Sequence, residues 1–356
     1  MNIPLLRLLN QQIISSRCSK PEEVVSRMGA MQAQDLRSAL WAVGLRMKRP
    51  CRRAVVDALR TGRIIRIHVM RPTWHFVAPD DLRPLIALNR NKIERVYAGY
   101  CREQGLNIGE DDYSRCLDAL REALQGGREL TLDALRPAVE KSGLPADERY
   151  MRAYLWRAES RAVVCGGMPQ NGRLTYTLID ERVPPTPDIS REETMTLLAA
   201  KYLRSHAPAT LHDFVWWSAL SPAEAMRAIE RLGSDVEKTD FNGRTVFIHR
   251  DCRRHGKAAG TACLLPPYDE YLLGYKDRTD VLPETLAHIA HNNRGIFRRV
   301  TLQDGQVTGN WSEHLTAEGT RISTTHRRDE LAADSRAIEK AAAKYIAYLD
   351  DSRITT

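Results

Sequence analysis

The stretch RIIRIHVMRPTWHFV, residues 63–77, has two halves in which apolar and polar side chains alternate. Alternation with a period of two is typical of β-strands that bury one face. Between the halves, Met70-Arg71-Pro72 supplies a turn. We therefore predict a β-hairpin here.

Helical sequence precedes this hairpin. Leu5–Ile14 carries an apolar stripe at helical spacing, and a cap at Ser19 followed by Pro21 predicts a second helix over Glu22–Met31. Alanine- and leucine-rich segments follow and end with a helix at Arg53–Arg60. The first 77 residues are thus predicted to form helices followed by a β-ribbon.

The same order recurs twice. The second copy ends in the hairpin RAVVCGGMPQNGRLTYTLI (161–179), and the third ends in DVEKTDFNGRTVFI (235–248), which turns at Asn-Gly. The predicted helices before these hairpins are Tyr113–Leu124, Leu132–Lys141 and Glu148–Ser160, then Arg191–Ser205, Thr210–Leu220 and Ser221–Leu232.

Helices followed by a β-ribbon are typical of the winged-helix form of the helix-turn-helix, and repetition strengthens the assignment. We predict an α+β fold with winged-helix units at 1–90, 91–186 and 187–250. A small β-barrel-like domain with a C-terminal helix, Leu331–Leu349, would occupy 251–356. The proline-rich segment 183–187 serves as a linker between the second and third copies. The alternative is a plain α+β protein with hairpins between its helices.

Composition narrows the class of protein. The 356 residues include 53 Lys+Arg and 45 Asp+Glu, a net charge of +8, with no apolar run long enough for a membrane helix and no secretory signal. Seven dispersed cysteines without a C-x-x-C pair argue against a disulfide scaffold and a structural zinc site. No nucleotide-binding loop occurs. We expect a cytoplasmic, nucleoid-associated monomer with no cofactor, no metal and no membrane partner.

Positive charge is concentrated between residues 46 and 71, where Asp57 is the only acid. We predict contacts with DNA phosphates from this stretch and from later basic tips, whereas the alternative is a set of solvated faces. The stretch contains Arg46, Lys48, Arg49, Arg52, Arg53, Arg60, Arg63, Arg66 and Arg71, and the later tips are Arg173, Arg244, Arg253, Arg254, Arg294, Arg298 and Arg299.

Gln32-Ala33-Gln34 lies just after the second predicted helix. Residues two apart point in opposite directions on an α-helix, but in an extended turn they can converge on one spot. Taken alone, the pattern is ordinary, because glutamines at a helix end usually cap it or face water.

Three stretches give the pair a meaning: GAMQAQDLRSALWAVGLR (29–46), MRPTWHFVAPDDLR (70–83) and LLPPYDEYLLGYKDR (264–278). They closely resemble the bacterial winged-helix family of AlkZ- and YcaQ-type DNA glycosylases. The resemblance implies tandem winged helices and a small β-barrel around a C-shaped cleft for duplex DNA. It also implies excision of bulky N-alkylated purines, including crosslinked guanines.

The resemblance places the catalytic signature, Gln-apolar-Gln, at Gln32 and Gln34 in the AlkZ form. The YcaQ form would have Asp at position 34, and the neighbouring Asp35 lies one position too late to be its equivalent. For Asp35 we predict a cap, with an auxiliary charge as the alternative.

Amides cannot act as general acid and base, which most glycosidases require. A purine alkylated at N7 or N3 is already cationic and leaves as a neutral base. We therefore assign Gln32 and Gln34 to positioning water and stabilising an oxocarbenium-like sugar.

The remaining candidates are weaker. His75, between Trp74 and Phe76, is expected to face outward while the two aromatic rings enter the core, and it is a minor site candidate. For His288 and His291 we predict an exposed helix turn, with metal ligands as the less favoured alternative. Asp269–Glu270 suggests a structural ion pair, with DNA contact as the second reading.

We predict a DNA glycosylase that acts on alkylated or crosslinked purines in double-stranded DNA without necessarily flipping the base. The alternatives are a non-catalytic winged-helix regulator and a structural nucleoid factor.

Overall fold

The computed structural model describes residues 1–292, 294–317, 319–326 and 335–350. The first elements are α1 (Ile3–Asn10), α2 (Pro21–Met28), β1 (Met31–Gln32), α3 (Leu36–Leu45), α4 (Arg52–Arg60), β2 (Ile65–Val69), β3 (Thr73–Val77) and α5 (Pro79–Glu103). There follow α6 (Glu110–Leu124), β4 (Leu130–Thr131), α7 (Leu132–Lys141), α8 (Glu148–Ser160), β5 (Val164–Gly166), β6 (Thr175–Leu178) and α9 (Ile179–Arg182). The last are α10 (Arg191–His206), α11 (Leu211–Ser218), α12 (Pro222–Glu230), β7 (Val236–Phe241), β8 (Arg244–His249), β9 (Ala262–Leu265), α13 (Glu270–Leu273), α14 (Ala287–Ala290), β10 (Val300–Gln303), β11 (Gln306–Thr316), β12 (Gly319–His326) and α15 (Ser335–Asp350).

The fold is mixed α/β with antiparallel sheets, and the chain divides into two compact units. The first unit comprises residues 1–56 and 195–356, and the second comprises residues 57–194. These limits cut across the predicted domain 1–90, whose helices up to Val56 lie in the first unit and whose hairpin lies in the second. Among the described residues, no helix has the length and apolar character needed to cross a membrane.

In the first unit, the C-terminal strands share one core with the N-terminal helices. The sheet runs β12-β11-β10-β9, and α3 packs on it through Trp41, whose Nε1 donates to the carbonyl of Leu264 at 2.8 Å. Tyr345 and Tyr348 of α15 contact the same indole ring. A Cβ at Gly44 would lie 2.4 Å from the ring of Tyr348, so α3 requires glycine there. The described residues of the range 251–356 therefore share their core with α1 and α3.

In the second unit, the strands lie in the order β3-β2-β5-β6-β4. The core below them is formed by α6, α7 and α8 with residues such as Leu120, Leu135 and Tyr154. The predicted hairpins at 63–77 and 161–179 are confirmed as the antiparallel pairs β2–β3 and β5–β6. The 25-residue helix α5, which begins with Pro79, was not predicted.

The helices α10–α12 and the hairpin β7–β8 occur in the predicted order. Asn242 and Gly243 both have positive φ, +51° and +73°, as a two-residue hairpin turn requires. Ser221 caps α12 by accepting from the backbone of Glu224, which confirms the predicted helix start.

Local backbone conformation corrects several predicted bounds. Helix α1 ends at Asn10 instead of Ile14, because Gln12 has a φ of +61°. Helix α2 is capped at Lys20 rather than Ser19, and it ends before Gly29, whose φ is +81°. The segment 264–278, in the predicted β-barrel-like domain, contains one helical turn, α13. The predicted start of the last helix at 331 lies outside the described residues.

Candidate active site

The segment Gln32-Ala33-Gln34 joins α2 to α3; it begins in β1 and bends at Gln34, just before the N-cap of α3. Met31 and Ala33 are 1% and 0% exposed, whereas Gln32 is half-buried and Gln34 is exposed. In extended chain, alternate residues point to the same side. Burial therefore alternates along the segment, with Gln34 open to solvent and Gln32 partly so, on either side of the buried Ala33.

The segment is fixed at both ends by helix caps. Gly29 follows the last residue of α2, and Asp35 is the N-cap of α3, where its Oδ1 accepts from the backbone N–H of Ser38 at 2.8 Å. The cap predicted for Asp35 is confirmed. The position of Gln34 is thus set immediately before the start of a helix packed in the core.

A buried carboxylate lies on the inner side of the segment. The backbone N–H of Gln32 donates to Glu270 Oε1 at 2.8 Å, and Trp217 Nε1 donates to Glu270 Oε2 at 3.0 Å. Glu270 is 2% exposed, so DNA contact by this residue, the second reading from sequence, is wrong. It instead joins the main chain of the glutamine segment to α11.

His206 lies beside this carboxylate, with Nε2 3.7 Å from Glu270 Oε2. Its Nδ1 is 2.8 Å from Ser205 Oγ, and its ring stacks on Tyr202 with centroids 4.6 Å apart. Burial lowers the pKa of His206, although the carboxylate of Glu270 opposes the shift. The imidazole is therefore neutral at neutral pH.

Next to Glu270, Arg46 and Asp269 form a buried ion pair. Arg46 Nη1 and Nη2 donate to the two carboxylate oxygens of Asp269 at 2.8 and 2.7 Å, and Nη2 also donates to Gln11 Oε1 at 2.8 Å. Arg46 is 0% exposed. The ion pair expected for Asp269 is confirmed, whereas the predicted DNA contact by Arg46 is wrong because no phosphate can reach its guanidinium.

Arg66 also departs from its predicted role. It is 6% exposed, in the middle of β2, and its guanidinium carbon lies 4.6 Å from the centroid of the Trp74 ring. Arg66 therefore packs against the face of the Trp74 ring inside the second unit, and the predicted phosphate contact is wrong.

The remaining predicted DNA-contact residues lie at the surface to different degrees. Exposed are Lys48, Arg49, Arg53, Arg60, Arg173, Arg254, Arg294 and Arg298, and half-buried are Arg52, Arg63, Arg71, Arg244, Arg253 and Arg299. Several form ion pairs: Arg63 with Asp57, Arg173 with Asp133, Arg244 with Asp277 and Asp280, and Arg254 with Glu237. Their contact with DNA stays a prediction.

His75 is buried, at 1% exposure, and its Nδ1 lies 2.7 Å from the carbonyl of Thr73. The expectation that it faces outward is wrong, because consecutive residues Trp74–Val77 are all buried where β3 is covered on both faces. Trp74 and Phe76 enter the core as predicted. Among the described residues, no three His, Cys, Asp or Glu side chains form a group able to hold a metal ion.

The contact of Glu270 with the glutamine segment, and those of Trp217 and His206 with Glu270, were not predicted from the sequence. These residues lie up to 238 positions from Gln32. The available signal was the acidic pair Asp269-Glu270 within the otherwise apolar and aromatic stretch 264–275, which indicates carboxylates that must find partners inside the fold.

The chain matches a family model, a curated relative and a solved structure. A family model described as DNA glycosylase AlkZ-like matches residues 25–348. The chain belongs to this family. It is therefore a DNA glycosylase, an enzyme that hydrolyses N-glycosidic bonds, as predicted.

A curated relative from Streptomyces sahachiroi, named interstrand DNA cross-link repair glycosylase, is 28% identical over 312 residues, or 81% of each chain. The solved structure of Streptomyces sahachiroi DNA glycosylase AlkZ matches with a TM-score of 0.76 and 22% identity. That match covers 98% of this chain and 95% of the solved one, and it shows a shared fold.

Proposed function

We propose that this AlkZ-like glycosylase releases cationic N-alkylated purines of the N7-alkylguanine type from duplex DNA, and that it unhooks interstrand crosslinks. The proposal is carried by the accessibility of the two glutamines, of which Gln34 is exposed and Gln32 half-buried. The curated relative named for cross-link repair supports the second part.

The chemistry follows from what an amide can do. A purine alkylated at N7 carries its own positive charge, so cleavage of the N-glycosidic bond releases a neutral base and needs no general acid. A glutamine carbonyl accepts a hydrogen bond from the attacking water and places partial negative charge near the oxocarbenium-like sugar. The amide NH₂ can bind a phosphate or sugar oxygen. The enzyme should be poor on uracil and on neutral purines.

For the frame, we propose tandem winged helices that present duplex DNA to the glutamines in a C-shaped cleft. Two observations support it: the order of helices and hairpins, and the exposed basic residues Lys48, Arg49 and Arg53 close in sequence to the glutamine segment. We also propose a cytoplasmic monomer associated with the nucleoid. Its seven cysteines form no disulfide, which fits a reducing compartment.

The test uses duplex DNA with a single N7-methylguanine and measures abasic sites under single-turnover conditions. Gln32→Ala and Gln34→Ala should each slow release by about 100-fold or more, because each removes a preorganised polar group from the transition state. DNA affinity should stay within about twofold, since phosphate contacts supply most of it. Gln125→Ala, at an exposed glutamine outside the segment, is the matched control and should match the wild type.

Wild-type rates in both variants would remove the assignment of the glutamines. Lost DNA binding with unchanged turnover would do the same. A regulatory protein without catalysis would release no base at all, and family membership does not favour that alternative.

A further inference from the structure

The inner side of the glutamine segment carries an acceptor that the proposed mechanism does not use. Glu270 is buried, yet its two carboxylate oxygens each accept from an N–H group, that of the Gln32 main chain at 2.8 Å and that of the Trp217 indole at 3.0 Å. Burying a carboxylate is costly unless its hydrogen bonds are made. The burial of Glu270 at this place therefore indicates that the carboxylate helps to hold the glutamine segment.

Glu270 is itself held rigidly. It is the first residue of α13, directly after the N-cap Asp269, whose side chain is locked by Arg46. Its carbonyl oxygen accepts from Gln11 Nε2 at 3.4 Å, and a Cβ at Gly274 would lie 2.6 Å from that oxygen. The carboxylate therefore has little freedom to follow a displaced strand.

The hydrogen bond from Gln32 to Glu270 is made by the main-chain N–H. It therefore fixes the position and orientation of the backbone of the segment and does not involve the side-chain amide. The side chain of Gln32 is half-buried and that of Gln34, two residues further along the same segment, is exposed. A shift of about 1 Å in positioning can cost on the order of 100-fold in rate. The hydrogen bond from the Gln32 N–H to Glu270 therefore controls the positions of both side-chain amides.

We propose that Glu270 is a positioning residue, which sets the catalytic glutamines by accepting the Gln32 N–H, with Trp217 supplying the second N–H that holds the carboxylate in place. This inference rests on the proposed function of the two glutamines. It assigns Glu270 no contact with DNA and no proton transfer.

The decisive variant is Glu270→Gln. An amide has one oxygen and one NH₂, so it cannot accept from both the Gln32 N–H and the Trp217 indole N–H. In Glu270→Gln/Trp217→Phe the indole N–H is gone, and the amide oxygen can return to Gln32. Glu313→Gln is the matched control, since Glu313 is a half-buried carboxylate of the first unit whose partners are Tyr345, Arg37 and Arg299 rather than the glutamine segment.

Single-turnover release of N7-methylguanine and DNA affinity are measured together. Glu270→Gln should release the base about 10- to 100-fold more slowly with DNA affinity unchanged, as expected from misplaced catalytic groups. The double variant should be at least about tenfold faster than Glu270→Gln, because the anchor is restored. Glu313→Gln should stay near the wild-type rate.

Hydrogen–deuterium exchange of the Gln32 amide is the readout that does not depend on activity. Exchange should be faster in Glu270→Gln and slow again in the double variant. Wild-type rate and protection in Glu270→Gln would overturn the inference, and so would a double variant as slow as the single one. If the wild type released no base, the proposed function would fail, while the exchange measurement would still decide whether Glu270 holds Gln32.

Discussion

Arg46 and the basic residues just after it are neighbours in sequence and differ in almost everything else. Arg46 is fully buried at the end of α3, and its Nη1 and Nη2 both donate to the carboxylate of Asp269. Lys48, Arg49 and Arg53 are exposed on the loop and helix that follow. Within eight residues, the same type of charge serves the interior and the surface.

A basic stretch of sequence can therefore contain residues with two different roles. A buried guanidinium is retained because its partner would otherwise be an unpaired charge in a low-dielectric interior. An exposed basic residue contributes little to the free energy of unfolding, and its effect is on encounter with polyanions such as DNA. Counting charges along the chain merges these two roles.

Removal of the buried charge should have the largest effect. Arg46→Met is expected to lower the free energy of unfolding by about 3–5 kcal/mol, because it leaves Asp269 buried and uncompensated. Urea unfolding at pH 7.5 measures it. Arg46→Met/Asp269→Asn should recover part of the loss, since Asn removes the charge and still caps a helix. Equal stability of Arg46→Met and the wild type would contradict the buried pair.

Removal of the exposed charges should act on DNA instead. Lys48→Ala/Arg49→Ala/Arg53→Ala is expected to reduce the slope of log affinity against log salt by about 3, close to one unit for each lost phosphate contact. Fluorescence anisotropy with an undamaged duplex between low and moderate salt measures the slope. The free energy of unfolding should change little in the same variant. An unchanged slope would mean that these three residues are solvated and do not contact DNA phosphates.

Acid should destabilise the first unit through its buried histidines. Burial lowers the pKa of His206 from 6.5, and it also lowers that of His249. The unfolded state then binds more protons below pH 6.5, so stability falls as the pH falls from 6.5 towards the lowered folded values. Each histidine contributes at most about 1.4 kcal/mol per pH unit. Urea unfolding at pH 7.5 and 5.5 should show a smaller pH dependence in His206→Gln than in the wild type, and equal dependence would contradict a neutral buried imidazole.

The cap of α3 should have the smallest effect. Asp35→Ala is expected to cost about 1 kcal/mol of stability, because the N–H of Ser38 loses its acceptor. Ser221→Ala, at the N-cap of α12, is the matched comparison and should cost a similar amount. Thermal unfolding measures both. A much larger loss in Asp35→Ala would mean that the residue does more than cap.

Much of the local structure was predictable because it depends on neighbours in sequence. The hairpin at Asn242-Gly243 needs only residues that tolerate positive φ, and α7 and α8 begin and end at the predicted residues. The two glutamines were singled out by resemblance, and their convergence on one spot stays a prediction. What failed was orientation: His75 and Arg66 lie on strands covered from both sides, so alternation did not reveal which residues face outward.

The alternation of helices and hairpins, many of their caps and the apolar residues beside Gln32 and Gln34 can be predicted from the chain alone, because they depend on interactions within a few residues. Which charges are buried, and what contacts the main chain of Gln32, depends on how distant segments pack. Arg46 meets Asp269 across 223 positions, and Gln32 meets Glu270 across 238. Such pairs form only when separate segments pack into one core, where the loss of water makes each polar group find a partner.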